Sequence, residues 1–302
     1  MVAFPNCKIN LGLNIIRKRE DGYHDIETVF YPLPLCDAVE VIVLPEIRNQ
    51  QSDVRNQKSE IQNLSTSGLN IEGKIEENLC IKAVQLLKKN FSQLPPIQMH
   101  LHKAIPVGAG LGGGSADAIF ILQLLNEKFE LKLSKEQLFN YAKELGSDCP
   151  FFIINKPCFA TGRGEILQEI HLDLSKYYFV IVNAAIHINT KWAFAQIQSQ
   201  QSFQRIIEII NEPIVKWKNY LANDFEQIIA KKYPEIIAIK NKLYDAGAIY
   251  SSMSGSGSSV YGIFENEIPE INFPAEYFYV HLKNISASAT DKTNIINHKN
   301  FN

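Results

Sequence analysis

The chain has no long apolar run: no stretch approaches the roughly 18 residues that a membrane-crossing helix needs. Cysteine is scarce as well. Cys7, Cys36, Cys80, Cys149 and Cys158 are an odd number at scattered spacings, with no C-x-x-C pair, and nothing at the N-terminus resembles a signal peptide. Reduced thiols in a cytoplasmic protein are the expectation. Nor does charge of one sign dominate, because the formal net charge is −2 and Lys/Arg alternate with Asp/Glu along the chain. That removes the electrostatic footprint of a nucleic-acid binder or of a protein held on an anionic membrane. What remains, 302 residues at 46% hydrophobic and 21% charged, suits a globular protein of one large or two medium domains.

One segment is rich where the rest is ordinary. Pro106-Val-Gly-Ala-Gly-Leu-Gly-Gly-Gly-Ser115 places five glycines in the seven residues 108–114, between a strand pattern and a helix pattern. Glycines lacking Cβ can turn successive N–H groups inward, and the helix that starts near Ser115 adds its unpaired N–H groups and positive dipole end. Phosphate is the expected guest. A Walker A loop is excluded, since Gly114 stands where its lysine must be. Gly108, Gly110 and Gly113 do satisfy the dinucleotide pattern G-x-G-x-x-G, with Glu127 and Glu130 near the acidic position. The motif nevertheless lies a third of the way along the chain and holds surplus glycine. A flexible linker is disfavoured too. Ile97, Met99 and Leu101 alternate with Gln98, His100 and His102 just before the loop, and the nearly all-apolar stretch Ala116 to Leu125 follows it. His100 and His102 share a strand face but have no third ligand nearby, so exposed strand histidines are expected.

Along the chain, Ile9–Ile16 and Val39–Leu44 read as strands of an N-terminal β layer. Residues 45–74 turn to Gln, Asn, Ser and charge, as in a long solvated loop or ragged hairpin. Residues 79–91 have the period of an amphipathic helix. Ser134-Lys-Glu-Gln137 is a capping box whose helix ends at Gly146, and an extended run is expected over Phe151–Ile154. After a boundary near Lys156-Pro157 come a strand at Tyr178–Val182, helices rich in Gln and Ile, and a helix opened by Pro234 and closed by Gly247. A second glycine-rich turn, Met253-Ser-Gly-Ser-Gly-Ser-Ser259, leads into Val260–Phe264. The expected domains are 1–156 and 157–285, with a polar tail at 286–302.

Cys7-Lys-Ile-Asn10, the loop at 106–118 and Ser254-Gly-Ser-Gly-Ser258, in that order, resemble the three motifs of the GHMP kinase superfamily, which includes galactokinase, homoserine kinase and mevalonate kinase. The resemblance runs to about residue 285. Within the superfamily it narrows through Asp21-Gly-Tyr-His24, Glu27-Thr-Val-Phe30, Leu145–Phe152 and Asn223-Asp-Phe-Glu226 to the members of the non-mevalonate isoprenoid pathway. The resemblance implies an α+β fold of two domains, the first ribosomal S5 domain 2-like and the second ferredoxin-like. It implies ATP and Mg²⁺ as cofactors, and ATP-dependent phosphorylation of the 2-hydroxyl of a cytidine-diphosphate-linked methylerythritol. The implied protein is a monomer or weak homodimer that binds neither nucleic acid nor membrane.

The same resemblance assigns roles. Lys8 and Asp148 fall on the catalytic pair. Pro106, Gly108, Gly110, Leu111, Gly112, Gly113, Gly114 and Ser115 form the triphosphate loop, with Lys103 on the adenine side. Asn10, Tyr23, His24, Thr190 and Phe194 lie on the substrate side, with Tyr23 and Phe194 against the cytosine and His24 at its edge. Ser115 serves either as a helix cap or as a contact to phosphate or Mg²⁺, and Trp192 competes with Phe194 for the stacking role. The metal ligands are not assigned. Read singly, Asp148 suits a turn before proline and Lys8 a solvated strand. A different GHMP kinase, a nucleotide sensor without activity and a nicotinamide enzyme are the rival readings, and Asp21–His24, Lys8 with Asp148, and the loop's surplus glycine respectively speak against them.

Overall fold

The computed structural model describes residues 1–44, 64–197 and 205–283. Two compact units form, and neither is one stretch of sequence: Met1–Asn6, Leu35–Val107 and Gly113–Ile154 make the first, while Cys7–Pro34, Gly108–Gly112 and the chain from Asn155 onward make the second. The expected tail at 286–302 and most of the polar segment, residues 45–63, lie outside the described residues.

In the first unit a four-stranded sheet runs in the order Val2–Ala3, Ala38–Val43, Ile97–Lys103, Leu64–Gly68. The pairing of Leu64–Gly68 with Ile97–Lys103 is parallel and the other pairings are antiparallel. Residues 64–68 are therefore a strand and not the loop or ragged hairpin that their composition suggests. Strand alternation sends Ile97, Met99, Leu101 and Lys103 inward and leaves Gln98 and His102 exposed. The helix Gly113–Lys128 packs on Ala38–Val43 and on the helix Leu79–Asn90. Ser134 and Gln137 form the capping box of Lys135–Leu145.

Phe151–Ile154, expected to be extended, belongs to a short helix, Cys149–Ile154. Pro150 sits in its first turn, where the missing N–H is not needed and the fixed φ suits the helix. The apolar run alone could not separate a strand from a buried helical turn.

The second unit contains two four-stranded sheets. One runs Asn6–Lys18, His24–Cys36, Cys158–Thr161, Ile166–Glu169, so residues 7–34 pair with chain that follows residue 156. The other is antiparallel, in the order Tyr250–Met253, Ser259–Phe264, Tyr178–Asn183, Phe278–Lys283. Leu13, Ile15, Val180, Val182, Phe225, Ile229, Leu243 and Val260 share its core. No disulfide joins the five cysteines. Among the described residues no helix is long and apolar enough to cross a membrane.

Candidate active site

The strand Asn6–Lys18 has two faces. Cys7, Ile9, Leu11, Leu13 and Ile15 occupy one parity, and Lys8, Asn10, Gly12 and Asn14 the other, yet all of them are buried. Burying the polar parity requires partners. Lys8 donates from Nζ to Asn10 Oδ1 at 2.7 Å and lies over the Phe30 ring. Asn10 Nδ2 donates to Thr28 Oγ1 at 2.9 Å, the Thr28 hydroxyl donates to the Gly12 carbonyl at 2.6 Å, and Tyr261 donates from its hydroxyl to the Asn10 carbonyl at 2.8 Å. Asn10 is thus held from three sides. Thr28 and Tyr261 were not foreseen; Thr28 stands inside a motif, Glu27–Phe30, but no pattern marks it as a brace.

The glycine loop is tied down by its carbonyls. Ala109 O accepts from Ser259 N at 3.1 Å, Gly110 O from Ser254 Oγ at 2.9 Å and Leu111 O from Lys8 N at 2.9 Å. In a trans peptide the C=O of one residue and the N–H of the next point opposite ways. Three successive carbonyls held by the protein therefore aim the N–H groups of Gly110, Leu111 and Gly112 in the other direction, the arrangement an anion uses. At Gly110 φ is +77°, and a Cβ would run into the Ser254 carbonyl. No other residue fits there.

On the first unit, Gly113, Gly114 and Ser115 open the helix Gly113–Lys128, with Pro106 preceding the loop. The Ser115 hydroxyl hydrogen-bonds the Cys149 sulfur, whose thiol burial pushes up to about 12. This contact sets the start of that helix beside the turn that carries Asp148, which is half-buried. Among the described residues no group of three His, Cys, Asp or Glu side chains forms a metal-binding cluster.

Lys103, expected on the adenine side, is buried in an ion cluster. Its ammonium is 2% exposed and sits between Asp37 and Asp117, the latter at 2.9 Å. Burial opposes its charge, but Asp117 and Asp37 outweigh that and raise its pKa. Asp37 also accepts from the N–H groups of Ala104 at 2.7 Å and Ile105 at 2.8 Å. The alternation that buries Leu101 buries Lys103, and a buried cation takes carboxylates as partners.

The residues expected around the base separate into three places in the second unit. His24 stacks on Phe194 with ring centroids 4.8 Å apart, and Phe194 meets Phe225 edge-on at 4.9 Å. Burial, and to a lesser degree Lys18, lowers the His24 pKa, which favours the neutral ring. Tyr23 is 54% exposed with the Arg163 guanidinium 4.8 Å from its ring centroid. Thr190 opens the helix Thr190–Ala195 and its hydroxyl lies 3.1 Å from that of Ser256. Trp192 is turned elsewhere, toward Lys232 and Tyr233.

Residues 78–156 match the GHMP kinases N terminal domain, and residues 193–273 match the GHMP kinases C terminal family. The loop, its helix and the two-unit α+β architecture are thus those of a GHMP kinase. Over 286 residues the chain is 50% identical to the 4-diphosphocytidyl-2-C-methyl-D-erythritol kinase of Bacteroides fragilis, covering 94% of this chain and 100% of that protein. Its identity to the enzyme of the same name from Azobacteroides pseudotrichonymphae is 52% over 266 residues, 88% of this chain and 94% of that one. A crystal structure of 4-(cytidine 5'-diphospho)-2C-methyl-D-erythritol kinase superposes with a TM-score of 0.67 at 27% identity, over 87% of this chain and 90% of the other. The chain belongs to the 4-diphosphocytidyl-2-C-methyl-D-erythritol kinase family.

Proposed function

We propose that the protein transfers the γ-phosphoryl group of ATP to the 2-hydroxyl of 4-(cytidine 5'-diphospho)-2-C-methyl-D-erythritol. The observation that carries this reading is the hydrogen bond from Lys8 N to Leu111 O, which seats the strand bearing Lys8 and Asn10 against the glycine loop. Phosphoryl transfer needs little covalent help from a protein; position and charge supply most of the acceleration. The loop N–H groups cradle the phosphates. Lys8, oriented by Asn10, polarises the acceptor hydroxyl and balances charge on the migrating group. Asp148 accepts the hydroxyl proton as the oxygen bonds to the γ-phosphorus, the bond from that phosphorus to the β–γ bridging oxygen breaks, and ADP leaves. Mg²⁺ bound with ATP would neutralise phosphate charge, and the Ser115 hydroxyl at the start of the helix Gly113–Lys128 would offer it a hard oxygen donor besides phosphate.

Support for a cytidyl acceptor comes from the aromatic surfaces. The neutral His24 ring can hydrogen-bond a base edge, Phe194 fixes its plane, and the exposed Tyr23 ring offers a stacking face. Mevalonate and homoserine have no base for these groups to meet. An assay of ADP release with the cytidyl substrate, mevalonate and homoserine tests the reading, and turnover of either of the last two without the first would sink it. Asp148→Asn and Lys8→Ala should each lower turnover by about 10²–10⁴-fold, the scale of positioned acid–base groups, with circular dichroism unchanged. Near-normal turnover by Asp148→Asn would reduce that carboxylate to a turn residue.

A further inference from the structure

We infer that Asn223-Asp-Phe-Glu226 is a positioning element for the glycine loop, acting through the turn after Met253 and touching no ligand itself. The inference deepens the proposed phosphotransfer and rests on that reading for its kinetic consequence. Asn223 is 3% exposed, and its amide donates to the carbonyls of Met253 and Gly255, each at 2.8 Å, so it brackets Ser254. Its own Oδ1 accepts from Phe225 N at 3.0 Å. Glu226 holds the approach to the same turn: Oε1 accepts from Met253 N at 2.7 Å and from the Ser252 hydroxyl at 2.9 Å, while Oε2 pairs with Lys240 at 2.6 Å.

The other side of this turn is the seat of the loop. Ser254 Oγ donates to Gly110 O, Asn10 N donates to Ser254 Oγ at 3.2 Å, and Ser259 N donates to Ala109 O. Asp224 extends the grip to the strand that carries Lys8 and Asn10. Its Oδ2 accepts from Ile15 N at 2.7 Å, and the backbone joins Leu13 to Ala222 and Asp224 at 2.9 Å each. One four-residue segment therefore fixes both the turn that the loop rests on and the strand beside it. Two amide N–H groups aimed at two carbonyls leave no freedom in where Ser254 stands. A carboxylate of the same shape could donate to neither, and buried carbonyls without donors are costly.

Asn223→Asp is the decisive variant, with Asn223→Ser, which keeps one donor, as its graded partner. Hydrogen exchange of the Lys8 and Ser259 amides, which donate to the loop carbonyls of Leu111 and Ala109, should quicken in the nucleotide-free protein by about tenfold in Asn223→Asp and by less in Asn223→Ser, as expected when a local opening becomes cheaper. Exchange in the strand Tyr178–Asn183 should not change. The KM for ATP should rise by about tenfold while that for the cytidyl substrate stays within about twofold, because the loop carries the triphosphate alone. Should Asn223→Asp fail to fold, Ser254→Ala leaves the Asn223 bonds intact, cuts the link to Gly110, and should show the same exchange pattern. Unchanged exchange at the Lys8 and Ser259 amides, or an equal rise in both KM values, would overturn the inference. A wild-type protein that does not use ATP would overturn the phosphotransfer reading instead, and leave the exchange result standing.

Discussion

In the first unit Lys103, Asp37 and Asp117 are buried together as three ionisable groups, whereas in the second unit Asn10 is held by one ammonium, that of Lys8, and by the hydroxyls of Thr28, Ser254 and Tyr261. Both are clusters of buried polar groups. They answer the same problem, a polar group carried inward by strand alternation, with different chemistry. An ion cluster is strong only when complete; a network made mostly of hydroxyls can lose its bonds one at a time. The two parts of Asp37 and Asp117 differ further. Asp37 satisfies two backbone N–H groups besides Lys103, while Asp117 Oδ1 has no hydrogen-bond partner.

The comparison can be broken most forcefully at Lys103. Lys103→Met leaves two carboxylates facing each other in the interior, and the expected loss is about 3–5 kcal/mol of unfolding free energy, the cost of breaking a buried pair. Denaturant titration reads it directly, and a loss below about 1 kcal/mol would mean that the cluster behaves like an exposed ion pair. Next in size is Thr28→Val, which preserves shape and removes the hydroxyl between Asn10 and Gly12. It should cost about 1–3 kcal/mol of unfolding free energy, because the buried Asn10 amide loses its acceptor. A loss below about 0.5 kcal/mol would show that the Thr28 hydroxyl does not brace Asn10.

The smallest effect is expected at Asp117→Asn. Burial raises the Asp117 pKa to about 7, with the attraction of Lys103 working against it. Between the ordinary carboxylate range and about 7, the folded chain keeps a proton that the unfolded chain has lost, so this group makes stability fall as pH rises through that window. Asp117→Asn should flatten that fall and change stability at pH 5 by less than about 1 kcal/mol. A steeper fall in the variant would reverse the assignment. Between the last two in interest is Gly110→Ala, whose Cβ has no room beside Ser254; it should weaken ATP affinity by about tenfold or more while the cytidyl substrate binds as before.

Much of the candidate site was legible because its signals are local. The glycine density at 108–114 announces a loop made for close approach, and the period of Ile97, Met99 and Leu101 extends by two residues to place Lys103 inward. Its inward parity was legible in that period. Its partners were not, since Asp37 is 66 residues away and Asp117 reads as one polar residue in an apolar helix. The helix Cys149–Ile154 escaped notice for a different reason: six residues are too few to show a period of 3.6. A strand at Leu64–Gly68 escaped because Ser-Thr-Ser-Gly has no apolar alternation, and it forms only by parallel pairing to a strand 30 residues further on.

The sequence by itself determined that a glycine-rich loop sits between a strand and a helix, and which family's motifs the chain carries in order. These follow from spacing along one stretch of backbone, where geometry is set by the period of the element. Only the tertiary structure decided which way the loop's N–H groups point, because that depends on donors from Ser254, Ser259 and Lys8, two of them more than 140 residues distant along the chain. It also decided that residues 7–34 join the unit formed by the second half, where Thr28 pairs with Ala160. Such contacts are paid for by burial and hydrogen bonding between segments whose separation in sequence carries no record of their meeting.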